Sequence, residues 1–135
     1  MSYYLAVDAG GTKTEFLLAH DDRELARAVT GTIKRVNADA ETAARNLRDA
    51  LAELERTAGV RMDAVTRTCV GTSGNTVPLV TDWLREGFSQ QVAGELLLVN
   101  IAIEMSLPQI IGNAVTNLRW HMENLFHRYI KCQTI

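Results

Sequence analysis

The chain has few of the features that mark secreted, membrane-spanning or nucleic-acid-binding proteins. Its two cysteines, Cys69 and Cys132, lie far apart and match no metal-site spacing, which suits a reducing compartment. Fourteen basic and sixteen acidic residues give a net charge of −2, so we expect no nucleic acid and no anionic membrane as a partner. No apolar run approaches the roughly 18 residues of a membrane span, and Asp8 interrupts the apolar N-terminus, so no signal peptide is predicted. We therefore expect a cytoplasmic protein.

The strongest chemical motif occupies residues 8–14, which read D-A-G-G-T-K-T and lie between apolar runs at 3–7 and 15–19. Gly10 and Gly11 permit a tight hairpin turn, and successive backbone N–H groups in such a turn can surround an anion. The spacing matches neither a Walker A loop nor the dinucleotide-binding fingerprint. An ordinary Gly-Gly hairpin is the alternative. The carboxylate and the hydroxyls beside the two glycines favour a phosphate site.

The side chains of this motif add to the predicted phosphate site. Thr12 and Thr14 supply hydroxyl donors, and Lys13 either screens phosphate charge or points into solvent. Asp8 has the same sign of charge as phosphate, so it suits the site only if Mg²⁺ or a water lies between them. Mg²⁺ keeps several of its waters and takes one or two carboxylates, which fits a single aspartate. We predict that Asp8 holds Mg²⁺ through water and that phosphate is bound by Gly10, Gly11, Thr12 and Lys13.

The stretch from Asp8 to Thr14 resembles the first phosphate motif of the sugar kinase/Hsp70/actin superfamily. Its D-x-G-G-T-K-T form is similar to that of N-acetylglucosamine kinases and the related BadF/BadG/BcrA/BcrD-type ATPases, and the resemblance extends over residues 1–99. It implies ATP and Mg²⁺ as cofactors and phosphoryl transfer to N-acetylglucosamine or a related hexose. A small-molecule sugar is therefore the expected binding partner.

Hydrophobic periodicity and turn residues predict an α/β fold with a mixed five-stranded sheet and flanking helices, and the length suits one domain with a core. Ala and Leu at three- and four-residue spacing predict a long helix that ends at Gly59. The resemblance implies that this order of elements is a ribonuclease H-like, actin-type ATPase lobe. The predicted strands are 3–7, 15–20, 24–30, 64–70 and 95–99, and the predicted helices are 39–58 and 77–87.

Two loops supply candidate sugar ligands. Residues 71–74 follow a predicted parallel strand, at the edge where open α/β sheets bind ligands, and the resemblance implies that Ser73 and Gly74 line the sugar site. A Gly-Ser turn that caps the next helix is the alternative for this loop. Asn37 either caps the helix predicted to begin near Asp39 or, as the resemblance implies, hydrogen-bonds the sugar. If Asp39 is the cap, Asn37 is free to bind.

The sequence departs from the family pattern after Val99, the predicted last residue of the fifth strand. The family has an aspartate just after this strand that acts as general base on the sugar hydroxyl, whereas this chain continues with Asn100 and has no aspartate after Asp82. The aspartate expected after Val99 is absent, so we identify no catalytic residue.

The chain is therefore divided into an ATPase/sugar-kinase N-terminal lobe over 1–99 and a helical tail over 100–135 that does not match the family. The apolar stripe of the tail predicts a helix over 113–131 that covers the sheet or mediates homo-oligomerisation.

Three functions are open from the sequence. The first is a truncated sugar-kinase lobe, altered by a frameshift, read-through or rearrangement, and inactive alone because the resemblance implies a second lobe across the nucleotide cleft. The second is an activator-type ATPase of the 2-hydroxyacyl-CoA dehydratase kind. Its bridging iron–sulfur cluster needs closely spaced cysteines, which Cys69 and Cys132 do not supply. The third is a non-catalytic nucleotide- or sugar-binding module.

Overall fold

The structure, a computed structural model, describes residues 2–21, 23–73 and 77–101. The strands are β1 (Tyr3–Ala9), β2 (Lys13–His20), β3 (Arg23–Gly31), β4 (Val65–Ser73) and β5 (Glu95–Ile101), and the helices are α1 (Ala40–Ala58) and α2 (Pro78–Gln91). A 3₁₀ turn, Met62–Ala64, precedes β4. The sheet order is β3-β2-β1-β4-β5, with antiparallel pairing from β3 to β1 and parallel pairing from β1 to β5. The predicted mixed five-stranded α/β fold is confirmed.

Alternation along the strands directs one face of the sheet toward both helices. In β1, Leu5, Val7 and Ala9 belong to the buried core cluster, so the intervening Asp8 points toward the opposite face. This places the Asp8 carboxylate outside the apolar core, at the end of the central strand. The helices contribute to that cluster Leu47, Ala50, Leu51 and Leu54 from α1 and Val80, Leu84 and Phe88 from α2.

Helix α1 begins and ends at the residues that its capping pattern predicts. The Asp39 carboxylate accepts a hydrogen bond from the Thr42 N–H at 2.7 Å, which holds the pKa of Asp39 below its usual range. At the other end Gly59 adopts the left-handed conformation with φ 68° and donates its N–H to the Glu55 carbonyl. Asp39 is therefore the cap, and the alternative that Asn37 caps the helix is wrong.

The prediction of a loop over residues 71–74 is wrong for residues 71–73, because these residues belong to β4. Thr72 pairs with Ala9 of β1 on one side and with Asn100 of β5 on the other. Because two ladders hold this segment extended, the strand continues past the predicted end at residue 70.

Strand β5 likewise continues beyond Val99, which was predicted to be its last residue. Val99 pairs with Gly71 of β4, and the same ladder carries on to Ile101 opposite Ser73. The position directly after Val99, where the resemblance led us to expect an aspartate within a residue or two, is therefore a strand position and not the start of a loop. Asn100 occupies it, so this strand carries no aspartate at the expected catalytic position.

Helix α2 also runs further than predicted, to Gln91 instead of residue 87. Gly87 lies inside the helix, at a point where α2 comes close to α1. A Cβ atom added at Gly87 would lie 3.2 Å from Cδ2 of Leu47, which is tighter than an ordinary contact. This glycine therefore permits helix packing, and the helix continues beyond it.

Several predictions concern residues outside the described ranges. They are the Gly74 sugar ligand, the helix over 113–131 and the state of Cys132, and they stay predictions, as does the domain boundary at residue 99. Within residues 2–21, 23–73 and 77–101, the helices are too short or too polar to cross a membrane.

Candidate functional site

Asp8 lies at the edge of the sheet where the parallel strands β1 and β4 end. It pairs with Gly71 of β4 and stands directly opposite Glu15 of β2. Burial raises the pKa of the Asp8 carboxyl to about 6, and the negative charge of Glu15 adds to the rise, while the nearby Lys13 and Lys34 oppose it. A half-buried carboxylate beside a second acidic group gains from a bound cation.

The turn between β1 and β2 is closed by one backbone hydrogen bond, from the Gly10 N–H to the Lys13 carbonyl at 3.0 Å. A Cβ atom added at Gly10 would lie 2.7 Å from that carbonyl oxygen, so only glycine fits there. Neither Gly10 nor Gly11 has a φ in the left-handed region, so positive φ is not the reason for glycine at either position. Close backbone approach therefore requires Gly10, and Gly11 meets no such restriction.

The loop between β3 and α1 (residues 32–39, the β3–α1 loop) is tied to this turn. The Thr32 hydroxyl donates to the Gly10 carbonyl at 2.7 Å and accepts from the Lys34 N–H at 3.1 Å. Asn46 of α1 donates to the Thr32 carbonyl at 2.9 Å, and the neighbouring Ile33 is fully buried in the core. The loop and the turn are thus one structural unit anchored to the helix.

This connection brings two predicted site residues together. A Cβ atom added at Gly11 would lie 3.7 Å from Oδ1 of Asn37, so the Asn37 side chain faces the turn. Asn37 is exposed, and Asp39 has taken the capping role, so the Asn37 amide is available to a ligand. The predicted phosphate and sugar ligands therefore line one surface.

The structure assigns different tasks to the three polar residues after the glycines. Thr12 is exposed at the tip of the turn. The exposed Lys13 ammonium pairs with Glu15 at 3.0 Å, and so offsets the repulsion between Glu15 and Asp8. Thr14 is fully buried and its hydroxyl donates to the Gly31 carbonyl at 3.1 Å, so its predicted role as a phosphate donor is wrong. The hydroxyl of Thr14 instead joins β2 to β3.

The predicted sugar ligand Ser73 is the last residue of β4. Its predecessor Thr72 pairs with Ala9, the last residue of β1, so Ser73 follows at the same edge of the sheet as the β1–β2 turn. The strand that carries Ser73 therefore ends beside Asp8 and the turn.

Sequence reasoning missed Thr32 and Lys34 as site residues. Both are buried, with 9% and 7% of their surface exposed, although they lie in a loop, and loops normally run over the surface. No periodicity marks them, because their burial depends on contacts with the distant Gly10 and with α1. Three-dimensional packing alone identifies them.

The residues around Asp8 fit a magnesium ion held through water. Mg²⁺ binds one or two carboxylates and completes its shell with water and phosphate oxygens, and Asp8 is a single carboxylate next to a turn that leaves backbone N–H groups for phosphate. Among the described residues there is no cluster of three or more side chains that would bind a metal by themselves. A magnesium ion at Asp8 would thus depend on phosphate for much of its coordination.

The sheet order, the two helices and the closed β1–β2 turn define an actin-like ATPase lobe of the sugar-kinase kind. The model of the BadF/BadG/BcrA/BcrD ATPase family matches residues 5–109, which is most of the chain. The chain therefore belongs to the BadF/BadG/BcrA/BcrD ATPase family. No curated protein matched the sequence significantly.

Solved structures agree with this assignment. A candidate N-acetylglucosamine kinase from Chromobacterium violaceum is 26% identical with a TM-score of 0.52, and the match covers 73% of this chain and 34% of that one. A second such candidate, from Porphyromonas gingivalis, is 20% identical with a TM-score of 0.54, and the match covers 73% of this chain and 33% of that one. The ROK hexokinase from Thermus thermophilus shares the fold at 21% identity with a TM-score of 0.58, and the match covers 87% of this chain and 39% of that one. The chain spans roughly a third of the length of these proteins.

Proposed function

We propose that the chain supplies the nucleotide-binding lobe of an ATP-dependent kinase that phosphorylates N-acetylglucosamine or a related hexose. The observation that carries the proposal is the hydrogen bond from Thr32 to the Gly10 carbonyl. It joins the β1–β2 turn to the β3–α1 loop and places Asn37 beside Gly11. A phosphate donor at the turn and a hydroxyl acceptor at Asn37 would then be neighbours, as phosphoryl transfer requires.

Each residue has a distinct role in this proposal. The backbone N–H groups of the turn, with Thr12 and Lys13, bind the phosphates, and Asn37 with the 73–74 segment orients the sugar. Asp8 holds Mg²⁺ through water, and the bound ion supplies neutralising charge to the phosphate oxygens. The raised pKa of Asp8 favours the arrangement, since a bound cation relieves both the burial of the carboxylate and its repulsion by Glu15.

We further propose that this chain alone turns over slowly or not at all. Asn100 follows Val99 in the strand, near the place where the family has its general base, and an amide accepts no proton. The chain also spans only about a third of the length of the kinases that it resembles. Its lobe therefore supplies only part of the cleft that excludes water from the reaction. Measured ADP release with N-acetylglucosamine should stay far below about 1 per second, the lower end of the ordinary kinase range.

Calorimetry with Mg·ATP tests the nucleotide site directly. The wild-type chain should bind weakly and Asp8→Asn should bind less, because the carboxylate that holds the cation is lost. Asp49→Asn is the matched control, since Asp49 is an exposed carboxylate on α1 and its neutralisation should leave binding unchanged. Absence of Mg·ATP binding to the wild-type chain, or equal binding by Asp8→Asn, would refute the proposal.

The activator-type alternative receives no support from the cysteine that the structure describes. Cys69 is fully buried within β4, and burial raises the pKa of its thiol to about 12. A cluster ligand must be a thiolate that can reach iron, and a buried protonated thiol meets neither condition. Binding of sugar or nucleotide without turnover would instead indicate the non-catalytic module.

A further inference from the structure

The sheet has a second face that is buried at its centre, on the side away from the two helices. The central residues of this second face are Ala6, Leu17, Ala19 and Cys69, and each has 0% of its surface exposed. Ala6 pairs with Leu17 on one side and with Cys69 on the other, and side chains at paired positions share a face of the sheet. Asp8 lies two positions after Ala6 in β1, so the candidate cation site borders the second face.

The described helices lie on the first face and leave the second one uncovered. The core cluster between sheet and helices contains Leu5, Val7 and Ala9 of β1 together with residues of α1 and α2. The four residues of the second face lie outside that cluster, because alternation along each strand turns them away from the helices. A side chain as large as Leu17 stays in contact with water on an open sheet face. Among residues 2–21, 23–73 and 77–101, no element accounts for the burial of the second face.

The second face is buried within a single copy of the chain. All four of its central residues reach full burial in a structure of one protein chain. From the end of β5, an edge strand of the sheet, the sequence continues through residues 102–135. Residues 102–112 can extend to about 35 Å, whereas five strands span about 19 Å across a sheet. The segment that follows them can therefore reach any part of the second face.

The tail contains an apolar stripe that suits such a cover. The stripe recurs at three- and four-residue spacing over 113–131 and comprises Val115, Leu118, Met122, Leu125, Phe126, Tyr129 and Ile130. A helix over this range would be about 28 Å long, close to the roughly 25 Å that the strands run. Ala6, Ala19 and Cys69 are small, so they leave room for the larger side chains of a helix to pack between them.

We propose that residues 113–131 form a helix whose apolar stripe packs on the second face of its own sheet. The tail is then a third layer of this lobe and not the contact between two copies of the chain. The connection through residues 102–112 holds the stripe at an effective concentration in the millimolar range beside its own sheet, far above that of a second copy in solution. This inference does not depend on the proposed function, because it concerns the burial of apolar surface and not a ligand.

The test uses the thiol of Cys69 as a reporter, because Cys69 lies at the centre of the second face. The full chain carries Cys132→Ser, so that one thiol remains to react with an aromatic disulfide reagent. With the tail unaltered, Cys69 should react only when urea unfolds the chain. Leu118→Glu with Leu125→Glu places charge on the stripe and should raise the labelling rate of Cys69 without urea by about 10-fold or more, because the helix leaves the sheet.

Two controls separate uncovering of the second face from unfolding of the lobe. Asn117→Glu with Asn124→Glu adds the same charge to the opposite side of the predicted helix and should leave the labelling rate unchanged. Val70→Cys, in a chain with Cys69→Ala and Cys132→Ser, places a thiol on the first face, where Val70 is fully buried in the core cluster. The stripe substitutions should leave that thiol protected, because α1 and α2 still cover it.

Three results would overturn the inference. The first is protection of Cys69 that survives the stripe substitutions. The second is equal labelling of the two faces in both the double variant and Leu125→Ala, a milder change that decides the matter if the double variant does not fold. The third is a dimer in sedimentation equilibrium whose Cys69 becomes reactive on dilution, since a second copy would then cover the face. We expect a monomer at micromolar concentration with Cys69 protected throughout.

Discussion

The Thr32 hydroxyl donates a 2.7 Å hydrogen bond to the carbonyl oxygen of Gly10, across 22 positions of sequence. The same hydroxyl accepts the Lys34 N–H, and Asn46 of α1 fixes the Thr32 carbonyl. One buried side chain thus sets the distance between the β1–β2 turn and the β3–α1 loop. The relative placement of the proposed phosphate and sugar ligands depends on it.

Replacement of Thr32 by valine should therefore destabilise the fold and weaken ligand binding together. Valine keeps the shape of threonine but leaves the Gly10 carbonyl and the Lys34 N–H without this partner, a loss of about 1–3 kcal/mol for buried groups. Urea unfolding measures the loss, and calorimetry with Mg·ATP measures the effect on binding. Thr30→Val is the control, because the Thr30 hydroxyl donates only an exposed 3.2 Å bond to Gly31. Equal effects of both substitutions would contradict the linking role of Thr32.

Substitutions at Asn37 and Asp39 should affect different properties, the first the affinity for sugar and the second the free energy of unfolding. Asp39→Ala removes the cap of α1 and should cost about 0.5–2 kcal/mol of unfolding free energy, while leaving sugar affinity nearly unchanged. Asn37→Ala should have the opposite pattern, with reduced affinity for N-acetylglucosamine and an unchanged urea midpoint. The two variants control for each other in paired urea and calorimetry measurements. A drop in stability with Asn37→Ala would return Asn37 to a structural role.

Local sequence signals predicted most of the fold. The apolar run of β1, the Ala and Leu spacing of α1 and the end of α1 at Gly59 are set by nearby residues, and all three appear in the structure. Two of the element ends that were wrong, at residues 71–73 and at Val99, depend on pairing with strands far away in sequence. Strand length is decided by the partner ladder, and no local pattern reports that ladder.

The site was less predictable than the fold, because the surroundings of its residues also depend on contacts with residues far away in sequence. Asp8 and the glycines were identified because their residue types stand out in sequence, and Asn37 was identified through the family resemblance. The structure brings Gly11 and Asn37 together. Thr14 has the same residue type as Thr12, but strand alternation turns it inward to Gly31. Lys34 has an ordinary sequence environment, and its burial follows from packing alone.

Ionised Asp8 should lower the stability of the ligand-free protein. Its folded pKa of about 6 lies above the ordinary value of 3.8, so between these values the unfolded chain releases a proton that the folded chain retains. Wild-type stability should therefore fall relative to Asp8→Asn as the pH rises from 4 to 6, and the difference should be constant above about pH 6. Urea unfolding at pH 4.5 and 7.5 measures it, with Asp49→Asn as the control for loss of a carboxylate. A difference between wild type and Asp8→Asn that does not grow with pH would show that the carboxyl is not destabilised in the fold.

The two glycines of the turn should differ sharply in their tolerance of alanine. At Gly10 the added Cβ would lie 2.7 Å from the Lys13 carbonyl oxygen, so the turn must open and its hydrogen bond weaken. We expect Gly10→Ala to cost about 1–3 kcal/mol and to abolish Mg·ATP binding, because the N–H groups of the turn lose their arrangement. At Gly11 the nearest atom would be Asn37 Oδ1 at 3.7 Å, an ordinary contact, and alanine retains the backbone N–H. Gly11→Ala should thus stay within about 0.5 kcal/mol of the wild type and keep its nucleotide affinity. Equal losses of stability at both positions would show that backbone conformation, and not the approach of Gly10 to Lys13, sets the requirement for glycine in this turn.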